Sequence, residues 1–332
     1  MIDRDICPSF FSDQPKLETM RAGFGRGLVK AGARDERIVA LTADLADSIH
    51  MGEFRDKFAE RFVEVGVAEQ NLVTVASGLA RAGKIPFAGS YSAFNPGRNW
   101  EQIRTTICLN DLPVKIVGSH AGLTVGPDGA THQMLEDIAL MRVLPNMTVI
   151  APGDSLEAEK ATLKLAELNS PGYLRLSRNS TAIFTNQDDD FDIGKAYRFW
   201  SGGDVTIVAT GAMSQVALEV ASKLQDSGVS PDVLHLPTIK PLDNSAIIES
   251  VEKTGRVVSL EDGQVAGGLG SAVAELLSSE LPVPILRLGV NDKFGQSGEA
   301  GELLEYYELD AKSVTEKIRK FVQKTPPYRR GF

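Results

Sequence analysis

The ten residues Phe62-Val63-Glu64-Val65-Gly66-Val67-Ala68-Glu69-Gln70-Asn71 contain a change of period. Residues 62–67 (FVEVGV) form a short apolar run of strand length. From Glu69 to about Ala82, apolar and small residues recur at helical spacing. A strand running straight into a helix is the repeating step of a parallel sheet. The pattern continues outward in both directions. Residues 16–32 read as a helix with Gly32 as its stop. Residues 37–42 (RIVALT), 114–118 (VKIVG) and 147–151 (MTVIA) read as buried strands, and Asp154 caps a helix running to about Leu168. This alternation predicts an α/β fold built on a mostly parallel sheet flanked by helices.

The alternation breaks at residues 186–192 (NQDDDFD), an acidic run with little apolar content that reads as a solvated connector. Beyond it the alternation resumes, with strands at 205–210, 233–236, 256–260 and 283–288. A helix starts at Ser214, and two short helices lie within 303–324. Two consecutive α/β domains are expected, over residues 1–186 and 193–332. A chain of 332 residues suits that division, at roughly 100–200 residues per domain. Hydrophobic residues make up 42% and charged residues 24%, enough apolar material for two cores. A net charge of −9 argues against a nucleic-acid partner. No apolar run reaches the ~18 residues a membrane span needs, and none of signal-peptide length opens the chain. Cys7 and Cys108 form neither a disulfide framework nor a metal-ligand spacing. A cytoplasmic location is therefore expected, with Cys108 a buried thiol in the apolar run 107–109.

Three stretches carry candidate chemistry. The first is Glu69, in the opening turn of its helix. A lone glutamate there can simply complement the helix dipole, worth about 0.3–1 kcal/mol. It also stands at the end of an apolar strand, where open parallel sheets receive ligands. A carboxyl in an apolar setting can share a proton with a heterocyclic nitrogen. The second stretch, residues 120–133 (HAGLTVGPDGATHQ), follows the VKIVG strand and holds two of the chain's four histidines. Histidine suits proton transfer near neutrality and can hold an anion. The same composition also fits a polar surface loop with glycines for turns. The third, residues 91–100 (YSAFNPGRNW), gathers three aromatics and an arginine, either to stack on a flat ring or to plug the core. The glycines at 23, 25 and 27 lack dinucleotide-binding spacing. Those at 267, 268 and 270 open a helix without the full strand–turn–helix fingerprint.

GVAEQN at 66–71, YSAF at 91–94, GPDGATHQ at 126–133 and LRLSR at 174–178, in this order, resemble the pyrimidine-binding half of the transketolase family. The resemblance extends over nearly the whole chain, with LEDGQVAGGLGSAVAE at 260–275 similar to that family's C-terminal domain. It implies thiamine diphosphate as cofactor. Glu69 would bond the pyrimidine nitrogen, Phe94 would stack on the ring beside Tyr91, and Asp44 would lie close to the cofactor. His132 would assist proton transfer at the sugar, and Asp128 would bind a donor hydroxyl. His120, Arg178, Arg21 and Ser48 would contact a substrate phosphate, for which the guanidinium fork is suited. Ala130 replaces the usual proline of the DGxTHQ motif, and the NPGRNW segment departs from the helix usual in full-length members. Arg98 and Trp100 receive no role from the resemblance.

The family holds the diphosphate through Mg2+ with a Gly-Asp-Gly segment and later paired asparagines. No such segment occurs in this chain, and Asp262-Gly263 lacks the leading glycine. The expectation is therefore a C-terminal subunit working with a separate N-terminal transketolase subunit that holds the diphosphate and metal, two copies of each. Its reaction would move a two-carbon ketol unit from a ketose phosphate to an aldose phosphate. A deoxyxylulose-phosphate synthase-like subunit, a 2-oxoacid dehydrogenase β-like subunit and a non-catalytic regulatory homologue share the same domain pair. The phosphate-contacting positions weigh against the dehydrogenase, and the synthase's single long chain against that reading.

Overall fold

A computed structural model of the protein describes residues 1–328; the last four residues of the expected second domain lie outside the described residues. The chain builds two main sheets. The first has seven strands in the order Thr238–Lys240, Thr148–Ile150, Gly172–Arg175, Lys115–Ser119, Ile85–Tyr91, Ile38–Thr42, Phe62–Glu64. Its strands run parallel, except that Thr238–Lys240 is antiparallel to its neighbour. Every residue of Ile38–Thr42, Lys115–Ser119, Thr148–Ile150 and Gly172–Arg175 is buried. That is why these stretches read as continuous apolar runs: both faces of a parallel sheet are covered by helices. The α/β architecture expected from the sequence is the one observed.

The second sheet has six strands in the order Ile2–Asp3, Tyr197–Trp200, Pro231–His235, Val205–Ala209, Val257–Gln264, Ile285–Val290. The two sheets exchange strands. Ile2–Asp3, from the start of the chain, pairs with Tyr197–Trp200 in the second sheet. Thr238–Lys240, from the second half, pairs with Thr148–Ile150 in the first. Short exchanged strands of two or three residues carry no period of their own, so the sequence shows no sign of them.

The first long helix is Met20–Arg34, preceded by a short strand, Leu17–Thr19, where one continuous helix was expected. Thr19 caps it by accepting from the Ala22 N–H at 3.3 Å. The helix runs past Gly32, so that glycine is not a stop. A Cβ there would lie 2.5 Å from the Phe54 ring, and packing is the reason for glycine. Gly23 and Gly27 serve the contact with the helix Ser155–Glu167, where added Cβ atoms would lie 1.9 Å from the Ser155 carbonyl and 2.8 Å from the Glu159 carbonyl. Asp154 caps that second helix as read, accepting from the Glu157 N–H at 3.0 Å. Cys108 is buried, and burial pushes its thiol up to about 12, which suits an inert core group.

The helix start at residues 268–270 receives the chain's own carboxylate. Glu261 accepts from the N–H groups of Leu269 at 2.9 Å and Gly270 at 2.8 Å, at the start of the helix Leu269–Glu280. A Cβ on Gly268 would sit 1.9 Å from that carboxylate. The anion site of this helix terminus is thereby filled from within.

Arg175, at the end of its strand, ties the two halves together. Its Nε donates to Asp137 Oδ2 at 2.9 Å and its Nη1 to Asp262 Oδ1 at 2.7 Å, from the LEDG loop of the second sheet. The Tyr173 hydroxyl also donates to Asp137 Oδ2, at 2.7 Å. All three charged side chains are at most 2% exposed. Removing one partner of such a buried set costs far more than a surface pair, because the remaining charge stays buried. Asp262→Ala should lower unfolding stability by about 3–5 kcal/mol. Denaturant unfolding checks this, and a loss under about 1 kcal/mol, the range of exposed pairs, would show that the ion set is dispensable.

Candidate active site

The first sheet's strands end together, and the candidate residues gather at that carboxyl edge. Tyr91 pairs in register with Ser119, and Gly118 with Arg175, so the chain leaves three neighbouring strands at one level. Glu69 opens the helix Glu69–Arg81 with its side chain buried, only 3% exposed. Its carboxylate accepts from Ser90 Oγ at 3.4 Å and from Arg98 Nη1 at 3.3 Å. Its backbone carbonyl accepts from Asn99 Nδ2 at 2.8 Å. Asn99 Nδ2 also donates to Asn95 Oδ1 at 3.0 Å, while Asn95 Nδ2 donates to the carbonyls of Ala88 at 2.9 Å and Val117 at 3.2 Å. These two asparagines anchor the segment after YSAF to adjacent strands.

Four rings cluster above Glu69's end of the sheet. Tyr91 and Phe94 lie 6.3 Å apart and near parallel, at 29°. His120 packs 3.9 Å from Tyr91, and His132 meets Phe94 edge-on at 5.3 Å. The ring of His120 is held by Ser119 Oγ on Nδ1 at 2.9 Å, and that of His132 by Thr131 Oγ1 on Nδ1 at 2.9 Å. His120 has φ +56°, an unusual conformation for a residue with a side chain.

The loop between the two histidines rests on the second half of the chain. Gly122 has φ +81°, and a Cβ there would lie 1.8 Å from Asp262 Oδ2, the carboxylate that holds Arg175. Gln133 Nε2 donates to the carbonyls of Leu123 at 3.3 Å, Gly126 at 3.1 Å and Gln296 at 2.9 Å. The segment around Gln296 therefore fixes the loop from below.

Cations line the other side. Arg21 donates from Nη1 to the Ser48 carbonyl at 2.5 Å and from Nη2 to the Arg178 carbonyl at 2.9 Å. Arg178 Nη1 donates to the Val125 carbonyl at 2.7 Å. Burial lowers the Arg21 pKa, and Arg178 beside it lowers it further. Burial also takes His120 down to about 3, with Arg21, Arg178 and His132 adding to the effect. The charged groups acting on His120 thus share one sign, an arrangement that favours an anion. His50, which the sequence reading passed over, is lowered by burial and then by Arg21.

The structure brings together Glu69, Tyr91, Phe94, His120, His132, Arg21 and Arg178 from the sequence-derived set. Ser48 joins through its carbonyl on Arg21. Asp44 and Asp128 are both exposed, and among the described residues neither carboxylate makes a hydrogen bond or ion pair with the ring cluster. The Asp44 N–H instead donates to Glu64 Oε1 at 2.7 Å. Sequence reasoning assigned nothing to Arg98, whose guanidinium lies 4.0 Å over the Phe94 ring while reaching Glu69. It also missed Gln133 and Asp262 as supports of the loop. Only the proximity of Arg98 to YSAF was available as a signal. Among the described residues no group of three or more His, Cys, Asp or Glu could hold a metal ion.

The sign of the His120 effect follows from its lowered pKa. The unfolded chain takes up this proton near 6.5 and the folded chain only near 3. Between those values the unfolded state binds more protons, so this contribution to stability falls as pH drops. His120→Asn should flatten the fall in stability between about pH 6 and pH 3 relative to the parent chain. Unfolding curves across that window check it, and identical slopes would contradict the burial account.

Residues 18–182 match the family model for the transketolase pyrimidine binding domain, and residues 194–314 that for the transketolase C-terminal domain. The chain is 45% identical over 308 residues to a transketolase C-terminal section of Methanocaldococcus jannaschii, covering 92% of this chain and 96% of that one. It is 40% identical to a 6-deoxy-6-sulfo-D-fructose transketolase subunit of a Clostridium strain, covering 90% and 92%. A solved split-gene transketolase, described as an inactive beta4 tetramer, superposes with a TM-score of 0.86 at 43% identity, over 92% of this chain and 98% of that one. With both domain models matched and these relatives covered nearly end to end, the chain belongs to the transketolase family, in the form of its C-terminal section.

Proposed function

We propose that this chain is the C-terminal subunit of a two-chain transketolase that moves a two-carbon ketol unit from a ketose phosphate to an aldose phosphate. The observation that carries the proposal is the buried Glu69 carboxylate, joined through Arg98 to Phe94 in a cluster of four rings whose His120 feels Arg21 and Arg178. The donor set fits the pyrimidine end of thiamine diphosphate: a buried carboxylate for a ring nitrogen and a flat aromatic face for the ring. When bound, that cofactor supplies the carbon that attacks the sugar carbonyl. Glu69 would hold a proton at the pyrimidine nitrogen, Phe94 would stack on the ring beside Tyr91, and Asp44 would lie near the cofactor. His132 moves a proton at the sugar and Asp128 binds a donor hydroxyl. Arg21, Arg178, Ser48 and His120 receive the phosphate. Burial keeps His120 neutral, so it serves as a hydrogen-bond donor rather than as a charge.

The diphosphate and Mg2+ ask for clustered oxygen ligands. In this reading they belong to a separate N-terminal subunit, and the working assembly holds two copies of each chain in the cytoplasm, within carbohydrate metabolism. The relative described as an inactive tetramer of one subunit type supports the need for a second chain. The sulfonated sugar in another relative's name supports an anionic ketose as donor class.

In the assembled enzyme, Glu69→Ala should lower turnover by about 100-fold or more, the scale of a lost acid–base group, with assembly unchanged by sedimentation. Near-parent turnover would remove Glu69 from the mechanism. Arg178→Ala should raise KM for phosphorylated donors with little change in kcat, the signature of lost uniform binding. An equal loss with unphosphorylated donors would contradict the phosphate contact.

A further inference from the structure

We infer that Arg98 occupies the seat of the cofactor's pyrimidine ring and must swing out for the ring to enter. The inference rests on the proposed function, since it takes Glu69 and Phe94 as that seat. Two properties are asked of a pyrimidine there: a flat face for Phe94 and a nitrogen-borne hydrogen for Glu69. The Arg98 guanidinium meets both at once. Its carbon lies 4.0 Å from the Phe94 ring centroid, and its Nη1 donates to Glu69 Oε2 at 3.3 Å. Guanidinium planes stack on aromatic faces and pair with carboxylates more effectively than any other side chain.

The local architecture separates a fixed backbone from a movable side chain. The Arg98 N–H donates to the Phe94 carbonyl at 3.0 Å, and the Arg98 carbonyl accepts from Gln70 Nε2 at 3.4 Å. Neighbouring Asn99 is buried and bonded to the Glu69 carbonyl. By contrast, the Arg98 side chain is 54% exposed, while Glu69 opposite is 3% exposed. A half-exposed side chain can turn outward into water with no backbone movement, whereas the Glu69 carboxylate stays in place. Arg98 supplies the countercharge that this buried carboxylate needs. Leaving the seat costs that pairing, so cofactor affinity is lowered by the fraction of chains in which the seat is open.

The test is calorimetric titration of thiamine diphosphate, with Mg2+, into the chain assembled with its N-terminal partner. Arg98→Ala should tighten the apparent Kd by roughly five- to tenfold, the combined scale of a stacked cation and a partly exposed ion pair. Arg98→Lys, which keeps the charge but loses the flat face, should fall between the two. Glu69→Ala and Phe94→Ala serve as controls for the seat itself and should weaken binding. Unchanged or weaker binding in Arg98→Ala, with both controls weakened, would overturn the inference and leave the seat standing. Parent-like binding in both controls, or no binding by the parent assembly, would overturn the proposed seat and the inference with it.

Discussion

A guanidinium withdrawn from water needs carboxylates on more than one side, and Arg175 takes them from both halves of the chain. Asp137 follows the histidine loop in sequence, and Asp262 comes from the second sheet. Because neither carboxylate can leave without stranding a buried charge, the two halves are locked in register. Gly122 lies directly against Asp262, so the loop bearing His120 and His132 is set on this ion set. Gln133 then ties the far end of that loop to the Gln296 carbonyl. The second half of the chain thereby acts as the floor of the site, which explains why a domain with no ring-cluster residue of its own accompanies the pyrimidine-binding domain.

The site combines two electrostatic environments. Glu69 is buried, and among the described residues Arg98 is the cation paired with it. Elsewhere in the cluster burial lowers the pKa of Arg21 and of His120, and Arg178 adds to the effect at both. Spending the Arg21 guanidinium on the carbonyls of Ser48 and Arg178 offsets part of that repulsion and fixes its direction. An anion entering there relieves the like-charge contact between Arg21 and Arg178. In the proposed function, the flat-ring seat and the anion seat are thus distinguished by charge.

Much of this was legible in the sequence because it is local. The passage from FVEVGV into the helix at Glu69 is a change of period within ten residues. The buried strands announce themselves as apolar runs because both faces of the sheet are covered. The motif residues Glu69, Tyr91, Phe94, His120 and His132 converge because parallel strands end at one level. What escaped reading depends on distant partners. The strands Ile2–Asp3 and Thr238–Lys240 are too short to show a period and are defined by the sheet they join. Gly32 looked like a stop because its neighbours Phe54 and Phe58 lie more than twenty residues away in sequence. Arg98 received no role in the sequence reading, and only its placement over Phe94 and beside Glu69 gives it one.

The central claim is that this chain holds one half of an active site. The most direct measurement is ketol-transfer turnover with a phosphorylated donor, thiamine diphosphate and Mg2+, first with this chain alone and then after mixing with its N-terminal partner subunit. The account predicts no turnover from the chain alone and full turnover from the mixture. Turnover by the isolated chain would contradict it.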